Sequence, residues 1–289
     1  MQNKYIQFIA KNIANLVNYN FVNIDIFRNL FFKGKLTISG HIKKEVFPKN
    51  AIFKCHCLLF DIDFNDEIQR YIYLNLYENQ EIKLLRKYIK PGSCCFDIGA
   101  NIGFFSLHMA KLTGASGKVF AFEPDTINFT KLNDNIMLNN YKNNIFPFRV
   151  GVSSESGNAI FSRTLNSNSG WGHIGEWELS QERLLIETIT LDDFVSQNGI
   201  KNINFLKCDI EGHEFEFLKG ADETLKAGII DTILIEYCGY VLERKGYCVE
   251  DLLNVFKNYG YIPVLLNLKQ LSEAEEFAVY NLFFTKKAA

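Results

Sequence analysis

The spacing of apolar residues changes period several times along the chain, and each change predicts a new kind of element. Ile6, Ile9, Ile13, Leu16 and Val17 recur at helical spacing, and an aromatic and aliphatic run then ends at Phe31 and Phe32. That pattern predicts one or two helices with a buried stripe over residues 1–30. From Lys35 to Leu76 the pattern becomes strand-like, with LTI at 36–38, IFKCHCLLFDIDF at 52–64 and YIYLNLY at 71–77 separated by polar, Gly or Pro punctuation. Residues 1–77 therefore read as an N-terminal extension, a small mixed cap, ahead of a main domain over 78–289.

Beyond Glu78, a helix carrying Ile82, Leu85 and Ile89 stops at Pro91-Gly92. The apolar run CCFDI (94–98), a helix over FFSLHMAKL (104–112), the strand VFAFE (119–123), a helix around Phe129, Leu132 and Ile136, and the strand IFPFRVGV (145–152) then alternate. Later strands are INFLKCDI (203–210), TILIEYC (232–238), YIPVLL (261–266) and NLFFT (281–285). Such alternation predicts an α/β fold of right-handed βαβ units, with a parallel sheet covered on both faces. No period repeats, so a solenoid is not expected. In an open α/β sheet the ligand sits at the carboxyl ends of the strands, which directs attention to the residues just after these runs.

Composition changes this picture only by exclusion. With 289 residues, 47% hydrophobic and 22% charged, the chain can bury a large core and is neither disordered nor low in complexity. A net charge of -2 and a sequence pI of about 6.2 offer no global attraction for nucleic acid, and no basic cluster makes up for it. No stretch approaches the roughly 20 apolar residues that cross a bilayer, and the N-terminus lacks a signal core, so no membrane span is expected. Seven cysteines, with Cys55/Cys57 and Cys94/Cys95 too close for a secreted disulfide framework, suggest reduced thiols in the cytoplasm. The CxC at Cys55 and Cys57 lacks a second Cys/His pair, so both read as buried strand cysteines and no metal is assigned.

Chemistry enters at FDIGANIGFF (96–105), which puts Asp97, Gly99 and Gly103 at the mouth of a strand-turn-helix. A dinucleotide-binding GxGxxG would have glycine where Asn101 stands, and the charge of Asp97 disfavours a pyrophosphate. The same carboxylate favours an ammonium or sulfonium group, which S-adenosylmethionine carries. Glu123 ends the next strand, where an acid can accept both hydroxyls of a ribose. Together these residues suggest an adenosyl cofactor without a phosphate chain.

A second constellation, FLKCDIEGHEFEFLKGA (205–221), runs a strand out into Asp209, Glu211, Gly212, His213 and Glu214 before a helix. Crowded acids repel and raise one another's pKa, a common feature of functional sites. Asp209, Glu211 or His213 could act as general base toward an acceptor hydroxyl. Glu211 and Glu214 could equally stabilise the positive end of the helix.

FDIGANIG, FEP at 122–124, TITLDDF at 188–194 and the NFLKCDIEGHEFEFLKGA run resemble, in order and spacing, the FkbM-type S-adenosylmethionine-dependent methyltransferases over roughly residues 78–240. The resemblance implies a Rossmann-like seven-stranded class I methyltransferase sheet, strand order 3-2-1-4-5-7-6, that methylates a hydroxyl of a sugar, polyketide or similar metabolite. It further implies that Asp97, Gly99, Ala100, Asn101 and Gly103 line the methionine end of the cofactor and that Glu123, beside Pro124, holds the ribose. Ser153 would approach the adenine, and Asp209 and Glu211 would lie at the transfer site. Asn135 falls where the family often has Asn.

Residues 1–77 lie outside this resemblance. The long connection TLNSNSGWGHIGEWELSQ (164–181), with Trp171, His173 and Trp177, has the length and aromatic content of a lid over a sugar, and His173 is a further candidate base. The sequence thus points to an O-methyltransferase acting on a small-molecule or glycan acceptor, with a homo-oligomer left open. A noncatalytic adenosyl-binding module and, behind it, an NAD-dependent oxidoreductase are the rivals.

Overall fold

The computed structural model describes residues 50–164, 170, 172–176, 180–264 and 279–286. The helices expected over 1–30 and the LTI strand lie outside the described residues. The first described elements are β1 (Asn50–Cys55) and β2 (Leu58–Asp63), an antiparallel hairpin in which Cys55 faces Leu58. The turn is His56-Cys57, with φ of 50° and 64°. Paired positive φ values give a turn whose twist matches the flanking strands. This corrects the reading of 52–64 as one strand with both cysteines buried: Cys55 is buried, and Cys57 is exposed at the tip.

A second correction concerns YIYLNLY, which begins inside a helix, α1 (Glu67–Tyr73), and not a strand. Asp66 caps α1 by accepting from the Gln69 amide, while Gln69 and Ile72 form its buried side. A local cap and a packed face outweigh the β preference of Tyr and Ile, which is context-dependent.

From here the chain alternates as its pattern predicts, through α2 (Asn79–Tyr88), β3 (Cys94–Ile98), α3 (Phe104–Thr113), β4 (Lys118–Phe122), α4 (Thr126–Leu138) and β5 (Ile145–Phe148). The expected strand 145–152 then splits, because β6 (Gly151–Val152) joins β7 (Gly157–Arg163), β8 (Gly172–Ile174) and β9 (Glu182–Ile189) in a second sheet ordered β6-β9-β7-β8. Part of the expected long loop is therefore the strand β8. The chain continues through α5 (Leu191–Gln197), β10 (Phe205–Cys208), α6 (Glu214–Lys219), α7 (Asp222–Lys226), β11 (Thr232–Cys238), α8 (Gly239–Leu242), α9 (Val249–Asn258), β12 (Tyr261–Pro263) and β13 (Val279–Lys286).

The main sheet has seven strands in the order β12-β13-β11-β10-β3-β4-β5. β13 runs antiparallel to β11 and β12, and the pairs among β11, β10, β3, β4 and β5 are parallel. Numbered within the sheet, this is the order 3-2-1-4-5-7-6 of a class I methyltransferase. Phe96, Phe122, Leu206 and Ile235 fill the core on one face. Phe205, Leu234 and Phe283 fill the other, together with Phe60 and Ile62 of the hairpin. Each such side chain contributes roughly 1.5–3 kcal/mol by burial.

Asn135 of α4 and Asn139 at its C-cap staple the hairpin to this body. Asn135 accepts from the Asp61 amide at 2.8 Å and donates to the Ile102 carbonyl at 2.9 Å. Asn139 accepts from the amide of Leu59 and donates to its carbonyl. Among the described residues no helix is long and apolar enough to cross a membrane, and all seven cysteines are free thiols.

Candidate active site

The chain leaves β3 through Gly99, Asn101 and Gly103, all with positive φ. Gly99 has no alternative, since a Cβ there would stand 1.8 Å from the Asp209 carbonyl oxygen. The turn after β3 and the turn after β10 are thereby pressed together at the centre of the sheet. Asn101 donates its amide to Glu123 Oε2 at 2.8 Å, and the Asp125 amide donates to Glu123 Oε1 at 2.9 Å. Both carboxylate oxygens of Glu123 are thus oriented by backbone. Burial pushes its pKa up to about 8 even though these bonds oppose the shift.

Asp97 and Lys207 form the layer beneath. Asp97 is 0% exposed, accepts from Ser106 Oγ, and has Lys207 Nζ 3.8 Å from Oδ1. At that distance the charges attract without a hydrogen bond. The Lys207 ammonium lies 3.0 Å from Asp209 Oδ2, donates to the Gly99 carbonyl at 3.2 Å, and sits 4.9 Å from the centre of the Phe105 ring. One buried cation therefore ties the glycine turn to the acidic turn, and these neighbours raise its pKa in spite of burial.

The acidic turn after β10 is unusual in its backbone. Glu211 has φ of 53° and Gly212 has φ of 90°, and a Cβ on Gly212 would meet Val241 at 2.3 Å. Glu214 is 0% exposed and accepts from the Gly212 amide, and burial raises its pKa to about 7. Glu236, near the end of β11, belongs to the same acidic cluster, and the charge of Asp209 adds to the upward push on its pKa. Burial first, and neighbouring carboxylates second, hold Glu211 and Glu236 well above the usual carboxylate range. Glu211, Glu236 and Cys238 bring their polar atoms within 4.8 Å of one another, and the Cys238 thiol points to Glu211 Oε2 at 3.8 Å.

A cavity of about 200 Å³ opens above these turns. Of the residues singled out from the sequence, Gly99, Ala100, Asn101, Glu123, Pro124, Asp209, Glu211 and His173 line it. Asp97, Gly103, Ser153 and His213 are not among the lining residues. Gly103 packs on Leu132, where a Cβ would sit 2.7 Å from Cδ1. His213 and Ser153 meet each other, Nε2 to Oγ at 2.8 Å, with both side chains buried; Val152 lines the cavity instead of Ser153. Burial brings His213 and His173 each down to about 4, so both imidazoles are neutral at pH 7. Trp171 and Trp177 lie outside the described residues.

Tyr77, Glu78, Lys207 and Glu236 also line the cavity, and sequence reasoning singled out none of them. Lys207 and Glu236 stand inside the predicted strands 203–210 and 232–238, before the strand ends to which the search was aimed. Glu78 carried no local signal.

A sequence model described as the methyltransferase FkbM domain matches residues 97–263. The hexuronic acid methyltransferase AglP of Haloferax volcanii is 29% identical over 159 residues, 55% of this chain and 62% of that protein. Methyltransferase sdnD of Sordaria araneosa is 30% identical over 155 residues, 44% of this chain and 60% of its own length. The 2-O-methyltransferase NoeI of Sinorhizobium fredii is 26% identical over 193 residues, 60% of this chain and 76% of that one. The chain thus spans about three fifths of the first two relatives. A solved methyltransferase FkbM from Methylobacillus flagellatus aligns with 17% identity and a TM-score of 0.41, covering 75% of this chain and 54% of that one.

Proposed function

The chain belongs to the FkbM family of methyltransferases, whose methyl donor is S-adenosylmethionine, and we propose that it methylates a hydroxyl of a sugar or glycan precursor. The observation that carries the reading is Glu123, a buried carboxylate whose two oxygens are fixed by the Asn101 and Asp125 amides on the cavity wall. A carboxylate so held keeps lone pairs for a diol, as a ribose presents, and cannot swing away. Gly99 lines the cavity, and its missing side chain lets the turn after β3 pack directly on the Asp209 carbonyl, which brings Glu123 and Asp209 to one wall. The residues therefore fit a ligand with a diol at one end and positive charge toward the acids.

When bound, the cofactor supplies a methyl group already activated on sulfonium. The protein has then to align an acceptor oxygen, keep water out and take a proton. We assign the proton to Asp209, which lines the cavity and is held by Lys207. Glu211 and His173 border the same space as the remaining candidates from the sequence. His213, buried against Ser153, takes the part of a strut between β6 and α6. Relatives named for a hexuronic acid and for 2-O-methylation support oxygen of a carbohydrate as the acceptor atom. Seven unpaired thiols suit a reducing compartment, and we place the enzyme in the cytoplasm.

The test is transfer of label from methyl-tritiated S-adenosylmethionine to a panel of sugars, nucleotide sugars and glycans. Base-stable label in one of them, matched by an equal amount of S-adenosylhomocysteine, is expected for an ether product. Cofactor binding with no transfer to any hydroxyl would favour the noncatalytic module, and binding of NAD in place of the adenosyl ligand would favour the oxidoreductase.

A further inference from the structure

The carboxylate expected from the sequence to meet the methionine end of the cofactor is shut away. Asp97 is 0% exposed and is engaged by Ser106 and Lys207. The cavity nevertheless has a carboxylate that neither motif supplies. Glu78 stands at the start of α2 with φ of 46°, a left-handed backbone that non-glycine residues seldom adopt. It occupies the N-cap position of α2 yet makes no capping bond with its side chain, so the helix end does not account for it. Instead, Asn281 Nδ2 of β13 donates to Glu78 Oε2 at 3.0 Å, which steadies a carboxyl on the cavity wall.

Among the described residues no cation forms an ion pair with it. Burial and the adjacent Glu81 raise the pKa of Glu78, with Asp209 adding to the effect, and Lys207 lowers it only in part. Lys207 is already committed to Asp209, Asp97 and the Gly99 carbonyl. Glu211 and Glu236 sit with Cys238, and Asp209 is paired with Lys207. Apart from Glu123, whose two oxygens the backbone holds, Glu78 is thus the cavity carboxyl steadied by a side-chain amide, in a conformation uncommon for its residue type.

Resting on the reading that this cavity takes S-adenosylmethionine, we propose that Glu78, positioned by Asn281, receives the α-ammonium group of the cofactor's methionine end. Asp97 then acts one layer down, as the counter-charge that holds Lys207 in place. The selectivity of the site for an amino-acid tail over a bare adenosyl thioether comes from a residue upstream of the glycine turn.

The test compares S-adenosylhomocysteine with 5′-methylthioadenosine, which shares the adenosyl thioether and lacks the amino-acid end, by titration calorimetry on the full chain. Glu78→Gln should weaken S-adenosylhomocysteine about tenfold to hundredfold, the loss of one charge-assisted bond, and leave 5′-methylthioadenosine unchanged. Unchanged affinity for both ligands would overturn the proposal while leaving the cofactor reading intact. If Glu78→Gln weakens both ligands equally, Asn281→Ala, which frees the carboxylate without removing it, decides the matter. Selective loss of S-adenosylhomocysteine in Asn281→Ala supports the role, and equal loss or none overturns it. A wild-type chain that binds neither ligand would overturn the proposal together with the functional reading beneath it.

Discussion

Three ionisable residues on the cavity wall divide the work by the company they keep. Glu123 has backbone donors, Lys207 has carboxylates, and Asp209 has the Lys207 ammonium. If Asp209 takes the acceptor's proton, Asp209→Asn should bind S-adenosylhomocysteine with little change and lose about 10² to 10⁴ in kcat, the usual contribution of a general base. Near-normal kcat in that variant would move the role to Glu211 or His173. The glycine turn and the acidic turn were legible in the sequence because glycine and acid at strand ends are local patterns. Glu78 was not, because only the packing of α2 and β13 brings it to the cavity. Asp97 lies behind the wall and not on it. Its strand position points the side chain into the layer under the turn, where Ser106 and Lys207 meet it.

Among the elements, the hairpin β1-β2 is the one most dependent on a few polar contacts. Asn135 is 0% exposed and bridges Asp61 to Ile102. Asn135→Ala leaves two buried backbone groups without partners and should cost about 2–4 kcal/mol in urea melts. Faster hydrogen exchange confined to β2 and the turn after β3 should accompany it; a stability change below ~0.5 kcal/mol would mean the staple is decorative. Gly99→Ala is a harsher test, since its Cβ would collide with backbone at 1.8 Å. That variant should fail to fold or bind no cofactor. The alternating core of the sheet was readable from period alone, whereas β1-β2 and α1 were misread. The His56-Cys57 turn has none of the usual turn residues, and α1 is rich in aromatics that favour strands.

At the level of the whole molecule, burial of many acids at one end of a sheet makes stability depend on pH. Folded-state pKa values of about 8 for Glu123 and about 7 for Glu214 exceed the unfolded value, so the folded chain binds more protons than the unfolded one until pH passes them. Their contribution is complete below the unfolded carboxylate pKa and is lost as pH rises to about 8. The raised values of Glu78, Glu211 and Glu236 act in the same direction. His108, His173 and His213, lowered to about 3, 4 and 4, work oppositely but only below the unfolded histidine pKa, so they are silent above it. Stability of the ligand-free chain, and its thermal midpoint with it, should therefore fall between about pH 6.5 and 8, by up to roughly 2 kcal/mol for each extra proton the folded chain holds across the interval. A midpoint that rises across that range would contradict the burial of these acids.

The central claim is that an adenosyl ligand binds by its ribose to Glu123, and calorimetric titration of S-adenosylhomocysteine into the wild-type chain and Glu123→Ala tests it most directly. The wild type should bind S-adenosylhomocysteine and ignore NAD, and folded Glu123→Ala should bind about tenfold to hundredfold more weakly. Equal affinity in the two proteins would contradict the account, as would a wild-type chain that prefers NAD.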